Sequence, residues 1–181
     1  KIKYMFPKAH AVAYLIAAIR LMWFKVYHPL EFYATYFTVR GSDIDYEAAV
    51  GGFEVAKKHL KVVEKRLKEE KSNKDEDILT SLQIVCEMLA RGYEFAPIKL
   101  GASEAKRYIV TDGKILLPYI SMSGIGETAA LSLEKAGEKA NEILSVDEFQ
   151  RISGVSNTVI DQLYEMGVLS HMPKSNQVTF F

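Results

Sequence analysis

The sequence predicts a mainly α fold with a small β-hairpin element, arranged as a helical first half and a tail of paired short helices. Three observations carry this expectation. Apolar residues recur at helical spacing through much of the 181-residue chain. A single Asp-Gly pair lies between two short apolar runs, which is the signature of a tight hairpin. A motif in the tail recurs thirty residues later, as stacked copies of one helical unit would.

Pro7 opens the first helix, because proline lacks only a donor that the first turn leaves unused. The spacing of Val12, Leu15, Ile16, Ile19, Trp23 and Val26 carries that helix from about Lys8 to Lys25. Pro29 opens a second, shorter helix to about Phe37, and Gly41-Ser42-Asp43 punctuates it. A long helix is expected from Tyr46 to Lys71, weakest at Gly51-Gly52. Its second half mixes both charge signs and reads as a solvated face. Ser72-Asn73-Lys74 reads as a linker. The next helix runs from about Asp75 to Arg91, with acids in its first turn and Gly92 to end it.

The pattern then changes. Phe95 to Leu100 reads as extended, and Arg107–Val110 and Lys114–Leu117 flank Thr111-Asp112-Gly113 as a hairpin. In the tail, Ser123-Gly-Ile-Gly-Glu-Thr-Ala-Ala-Leu-Ser-Leu133 lines up with Ser153-Gly-Val-Ser-Asn-Thr-Val-Ile-Asp-Gln-Leu163. The expected organisation is a helical portion over 1–94, the hairpin element over 95–118, paired helical hairpins over 119–170 and a terminal peptide over 171–181.

Apolar residues make up 49% and charged residues 25%, an ordinary globular balance, and the formal net charge of zero points neither toward nor away from nucleic acid. The distribution is more informative. Lys1, Lys3, Lys8, Arg20, Lys25 and Arg40 face one acid, Glu31, in the first forty residues, whereas Leu116 to Gln150 is acidic. The single cysteine, Cys86, excludes an internal disulfide, and its apolar neighbours mark it as a small buried hydrophobe. The four histidines are scattered and give no zinc spacing. The apolar stretch Ala11 to Ile19 is short for a bilayer and is closed by Arg20, so no membrane partner is expected. No start methionine and no signal pattern are seen, and the expectation is a cytoplasmic piece of a longer protein.

Four places could carry function. Ser123, Gly124, Ile125 and Gly126 form a helix-hairpin-helix-like turn: two glycines bend the backbone, Ile125 plugs the core, and outward amides can meet a phosphate without reading sequence. A bare interhelical turn fits the same residues, and Glu127 and Glu134 count against an anion. The second copy has Ser156 in place of a glycine and reads as structural. Lys8 and His10 at a helix start, with Lys1 and Lys3 just before, suit an anion such as a triphosphate. His10 and Tyr14 share a helix face, and Tyr14 suits stacking on a base or sugar; a basic surface on a core helix is the plainer reading. Asp43 and Asp45 look like capping residues rather than metal ligands. His28, His59 and His171 are isolated and are assigned no chemistry. Gln177, Val178, Thr179, Phe180 and Phe181 either fold back on the domain or dock as a linear peptide in a partner's apolar pocket.

Taken together, these residues resemble the C-terminal region of PolC-type bacterial DNA polymerase III alpha subunits. The resemblance rests on Lys3-Tyr-Met-Phe-Pro-Lys-Ala-His-Ala-Val-Ala-Tyr14, continued by Phe24-Lys-Val-Tyr-His-Pro-Leu-Glu-Phe-Tyr-Ala-Thr-Tyr-Phe37. Asp112-Gly113, Leu117-Pro118 and the Ser123–Gly126 hairpin follow in the family's order. The ending is similar to the family's clamp-binding peptide, commonly Gln-Leu-Ser-Leu-Phe, and departs from it at Val178, Thr179 and Phe180.

The resemblance implies that residues 1–94 are part of the fingers. Lys8 and His10, and with them Lys1, Lys3 and Tyr14, would lie near the incoming dNTP. Ser123 to Gly126 would lie against the primer-template duplex, and Gln177 to Phe181 on the sliding clamp. The implied chemistry is nucleotidyl transfer with Mg2+, whose carboxylates belong to a palm outside this sequence. No catalytic residue and no metal ligand is therefore expected here, and the piece alone is expected to be inactive. A free-standing helix-hairpin-helix adaptor for DNA or protein is the alternative.

Overall fold

The computed structural model describes residues 7–41 and 44–175. Eight α-helices and a three-stranded sheet account for most of these residues, which agrees with the mainly α expectation. The first helix, α1 (Lys8–Tyr27), turns at His28 into α2 (Pro29–Arg40), with Pro29 at the first helical position. α2 buries Tyr33, Ala34 and Phe37. α1 buries nothing, although its apolar spacing predicts a core face.

The single long helix expected from Tyr46 is two. α3 (Tyr46–Val50) and α4 (Phe53–Glu69) meet at the two glycines. Gly52 sits at φ +81°, which a residue with a Cβ adopts only with strain. A Cβ on Gly51 would lie 2.7 Å from the Glu47 carbonyl and 2.8 Å from the Val55 Cβ. The corner is therefore built for glycine, and helix propensity yields to it. The Asp45 carboxylate accepts from the Glu47 and Ala48 amides, at 2.8 and 3.3 Å, and so caps α3 as expected; Asp43 lies outside the described residues.

Ser72 caps α5 (Asn73–Ala90), so Asn73 and Lys74 belong to the helix rather than to a linker. α4 and α5 form a helical hairpin that buries Ala56 and Val63 against Leu82, Val85 and Met88. The ion pair from Arg66 to Asp75, at 3.1 Å, fastens its turn. Along α4, Lys57, Lys58, Lys61, Lys65 and Lys68 stay exposed.

Strands β1 (Phe95–Ala96), β2 (Ile109–Thr111) and β3 (Lys114–Leu116) form a sheet in the order β1-β3-β2. β2 and β3 are antiparallel, with Val110 opposite Ile115, whereas β1 runs parallel to β3, with Phe95 opposite Ile115. Asp112 at φ +49° and Gly113 at φ +74° make the turn, as the Asp-Gly pair predicts. The extended stretch expected to reach Leu100 stops at Ala96. Pro97 has no amide for the ladder, and the Ser103 amide closes back on the Lys99 carbonyl at 2.8 Å.

The core runs continuously from the helical half into the sheet. Phe37 of α2 stacks among Tyr33, Phe95 and Tyr108, with ring centroids 5.4 to 6.2 Å apart. Thr38 accepts a hydrogen bond from the Tyr108 amide at 3.0 Å and donates to the Ala34 carbonyl at 2.8 Å, tying α2 to the approach to β2. A 3-10 turn at Tyr119–Ser121 leads into the tail helices α6 (Glu127–Glu138), α7 (Val146–Ser153) and α8 (Asn157–Glu165). Ala130, Leu133, Phe149, Ile160 and Leu163 close their shared core.

Candidate nucleic-acid interface

The sequence repeat is also a backbone repeat. Gly124 and Gly154 take left-handed φ of +75° and +66°. Gly126 and Ser156 then take extended dihedrals, φ/ψ −90°/165° and −68°/158°, as N-caps of α6 and α8. Ile125 and Val155 turn inward at equivalent positions, and Leu133 and Leu163 are both fully buried. Ser123, Gly124 and Gly126 are exposed. A Cβ on either glycine would meet nothing within 4 Å. Gly124 is therefore required for its dihedral and not for internal space, while Gly126 needs neither and leaves the turn bare on its outer side.

No side chain caps α6, so its first-turn amides are available to an outside acceptor. α8 likewise has no side-chain cap, and the two hairpins differ instead in how their loops are held. Gln150 donates to the Val155 carbonyl at 3.5 Å and to the Asn157 side chain, so the second loop is braced from inside. The first is tied from behind, where Gln162 donates to the Ser123 carbonyl at 3.4 Å.

The charge around the first hairpin is less acidic than its own segment suggests. Lys106 pairs with Glu127 at 3.0 Å. Arg107 pairs with Glu104, which raises its pKa further, and Glu134 adds to the same effect. Reading along the chain misses Lys106 and Arg107, because their approach to α6 is set by the loop before β2 and no local pattern encodes it.

At the other end of the chain, Lys8 begins α1, and the His10 and Tyr14 rings meet edge-on with centroids 4.6 Å apart. All three side chains lie on the exposed surface. No side chain caps the helix at Pro7. Lys1 and Lys3 lie outside the described residues. So do Gln177, Val178, Thr179, Phe180 and Phe181. The stretch leading to that peptide is fastened: the Val146 and Asp147 amides donate to the Pro173 and Lys174 carbonyls at 3.0 and 3.1 Å. These bonds satisfy amides that the start of α7 leaves free.

No family model matches the chain. Curated relatives do. A protein named DNA polymerase III PolC-type from Streptococcus pneumoniae serotype 4 is 40% identical over 182 aligned positions, taking in 100% of this chain and 12% of the relative. Proteins of the same name from Streptococcus sanguinis and Streptococcus agalactiae serotype III are each 38% identical, with the same shares covered. The chain aligns end to end with a partial region of these PolC-type DNA polymerase III proteins. It spans 12% of the length of the curated relatives it matches.

Among the described residues, no group of three or more His, Cys, Asp or Glu side chains is placed to hold a metal ion. Asp45 uses one oxygen as a cap and the other lies 3.3 Å from His59 Nδ1, so His59 is less isolated than its sequence position suggests. These residues do not fit a magnesium site, and no chemical step can be built on them. What the described residues expose is a bare glycine hairpin and a basic helix start, with the tail fastened up to Lys174.

Proposed function

We propose that this chain works as part of a DNA-directed DNA polymerase, as a fingers portion joined to a duplex-supporting tail and a clamp-binding end. The supporting observation is the match of the whole chain to PolC-type polymerases. In this reading Lys8 and His10, with Lys1, Lys3 and Tyr14, face the phosphates and sugar of the incoming dNTP. A cation at an uncapped helix start complements an anion there.

The amides around Ser123, Gly124, Ile125 and Gly126 take the backbone of the primer-template duplex. Gln177 to Phe181 seat on the sliding clamp. The magnesium-dependent transfer takes place in the remainder of the polymerase chain, and the natural setting is the cytoplasm.

The test uses full-length polymerase carrying this chain. Lys8→Ala is expected to raise the KM for dNTP about 10-fold or more, as loss of a charge-assisted contact of about 1.5–3 kcal/mol would. Lys58→Ala on α4 serves as the control. Equal KM values for the two variants would remove Lys8 from the nucleotide site.

A further inference from the structure

α1 is a 20-residue helix with no buried residue. Its apolar side chains stand in the open, from Ile16 at 47% to Tyr14 at 67% exposed. Val12, Leu15, Ile19, Leu21, Met22, Trp23, Phe24 and Val26 fall between these limits and point in all directions around the axis. A helix that is apolar all round is buried in a large protein or spans a membrane; one covered on a single side carries a single stripe. α1 is also fixed in place. Lys25 pairs with Glu87 at 2.6 Å, and Arg91 donates both to the Lys25 carbonyl at 3.3 Å and to the Tyr33 hydroxyl at 2.9 Å. Its C-terminal end is thus clamped to α5, and the rest extends away over about 25 Å.

We propose that α1 from Leu15 onward is an internal core helix of the whole polymerase, with the sides that α2 and α5 do not hold enclosed by polymerase chain outside these 181 residues. The inference rests on the polymerase reading above. Three kinds of surroundings compete for this surface. A bilayer accepts the length and composition of α1, but Arg20 sits well inside the helix, where it would cost about 2.5–3.5 kcal/mol at a membrane centre. A second copy of this chain would cover one stripe and leave the others wet. Only a large body of further protein covers every side left open, and the matched relatives are long enough to supply it, since this chain takes in 12% of their length. The enclosing surface would be apolar around Leu15, Ile16 and Ile19, with an acceptor for Arg20.

Hydrogen–deuterium exchange on the full-length polymerase, without DNA or nucleotide, tests this. Amides of residues 15–24 are expected to exchange roughly a thousandfold or more below the unstructured-peptide rate, as buried core helices do. Exchange within roughly tenfold of that rate would overturn the proposal. Protection that appears only with phosphatidylglycerol vesicles, or only as protein concentration rises, would overturn it in favour of a membrane or a second copy. In a companion measurement, Ile16→Asp is expected to lower the melting temperature or prevent folding, while Leu144→Asp, at a site 67% exposed, leaves it unchanged. Equal behaviour of the two variants would count against enclosure. Primer extension by the same wild-type preparation keeps the outcomes apart. Extension with freely exchanging α1 sinks this inference alone, whereas absence of extension sinks the polymerase reading beneath it.

Discussion

At the scale of single residues, the most constrained side chains are aromatic. Phe37 is 1% exposed and meets Tyr33, Phe95 and Tyr108, so it is the pin between the helical half and the sheet. Phe37→Ala is expected to cost about 3–5 kcal/mol in denaturant unfolding; a loss below about 1 kcal/mol would mean the site collapses around the gap. Tyr119 is fully buried and its hydroxyl has no hydrogen-bond partner. Burial pushes its pKa from 10.0 up to about 12. Tyr108 is raised by burial as well. A raised phenol pKa means that the folded state keeps its proton longer than the unfolded state. That stability is whole below pH 10 and is lost as pH climbs through the folded value near 12. Unfolding scans should therefore show falling stability above pH 10, by at most about 1.4 kcal/mol per pH unit for each tyrosine. Tyr119→Phe should flatten that slope and cost little at neutral pH, because the lost hydroxyl had no partner. An unchanged slope would exclude Tyr119 as a source.

At the scale of elements, the two tail hairpins are a controlled comparison built into the chain. They share a left-handed glycine, an extended N-cap and a buried leucine, yet only the second is braced from inside by Gln150. Gly124→Ala and Gly154→Ala each place a Cβ in open space at positive φ. Both are expected to cost about 1–2 kcal/mol of stability, from backbone strain alone. Duplex binding separates them: Gly124→Ala should weaken it, whereas Gly154→Ala should leave it unchanged. Equal effects on binding would place both hairpins, or neither, on DNA. Binding itself should fall steeply with salt, in proportion to the few phosphates engaged.

At the scale of the molecule, the described residues form one continuous core from Tyr33 to Met172, with α1 standing outside it. In the polymerase reading the palm carboxylates lie outside this sequence, so the 181-residue chain is expected not to extend a primer by itself. Measurable extension by the purified 181-residue chain would show that the palm is dispensable. Because Pro173 and Lys174 are already fastened to α7, removing Gln177 to Phe181 should abolish clamp binding and leave the melting temperature in place. A large drop in melting temperature would instead assign the two phenylalanines to the core.

The sequence alone determined the parts that depend on near neighbours. Pro29 and the Asp45 cap mark helix starts, Asp112-Gly113 makes the hairpin turn, and the thirty-residue repeat returns as paired backbone geometry, because these follow from local sterics and hydrogen bonding. Tertiary structure decided what depends on distant ones. It broke one expected helix at Gly52, set β1 parallel to β3, brought Lys106 to Glu127, and left the apolar side chains all round α1 uncovered. Periodicity reports that a helix has apolar faces. What covers them is settled by packing, and for α1 the covering surface belongs to chain beyond these residues in the reading proposed above.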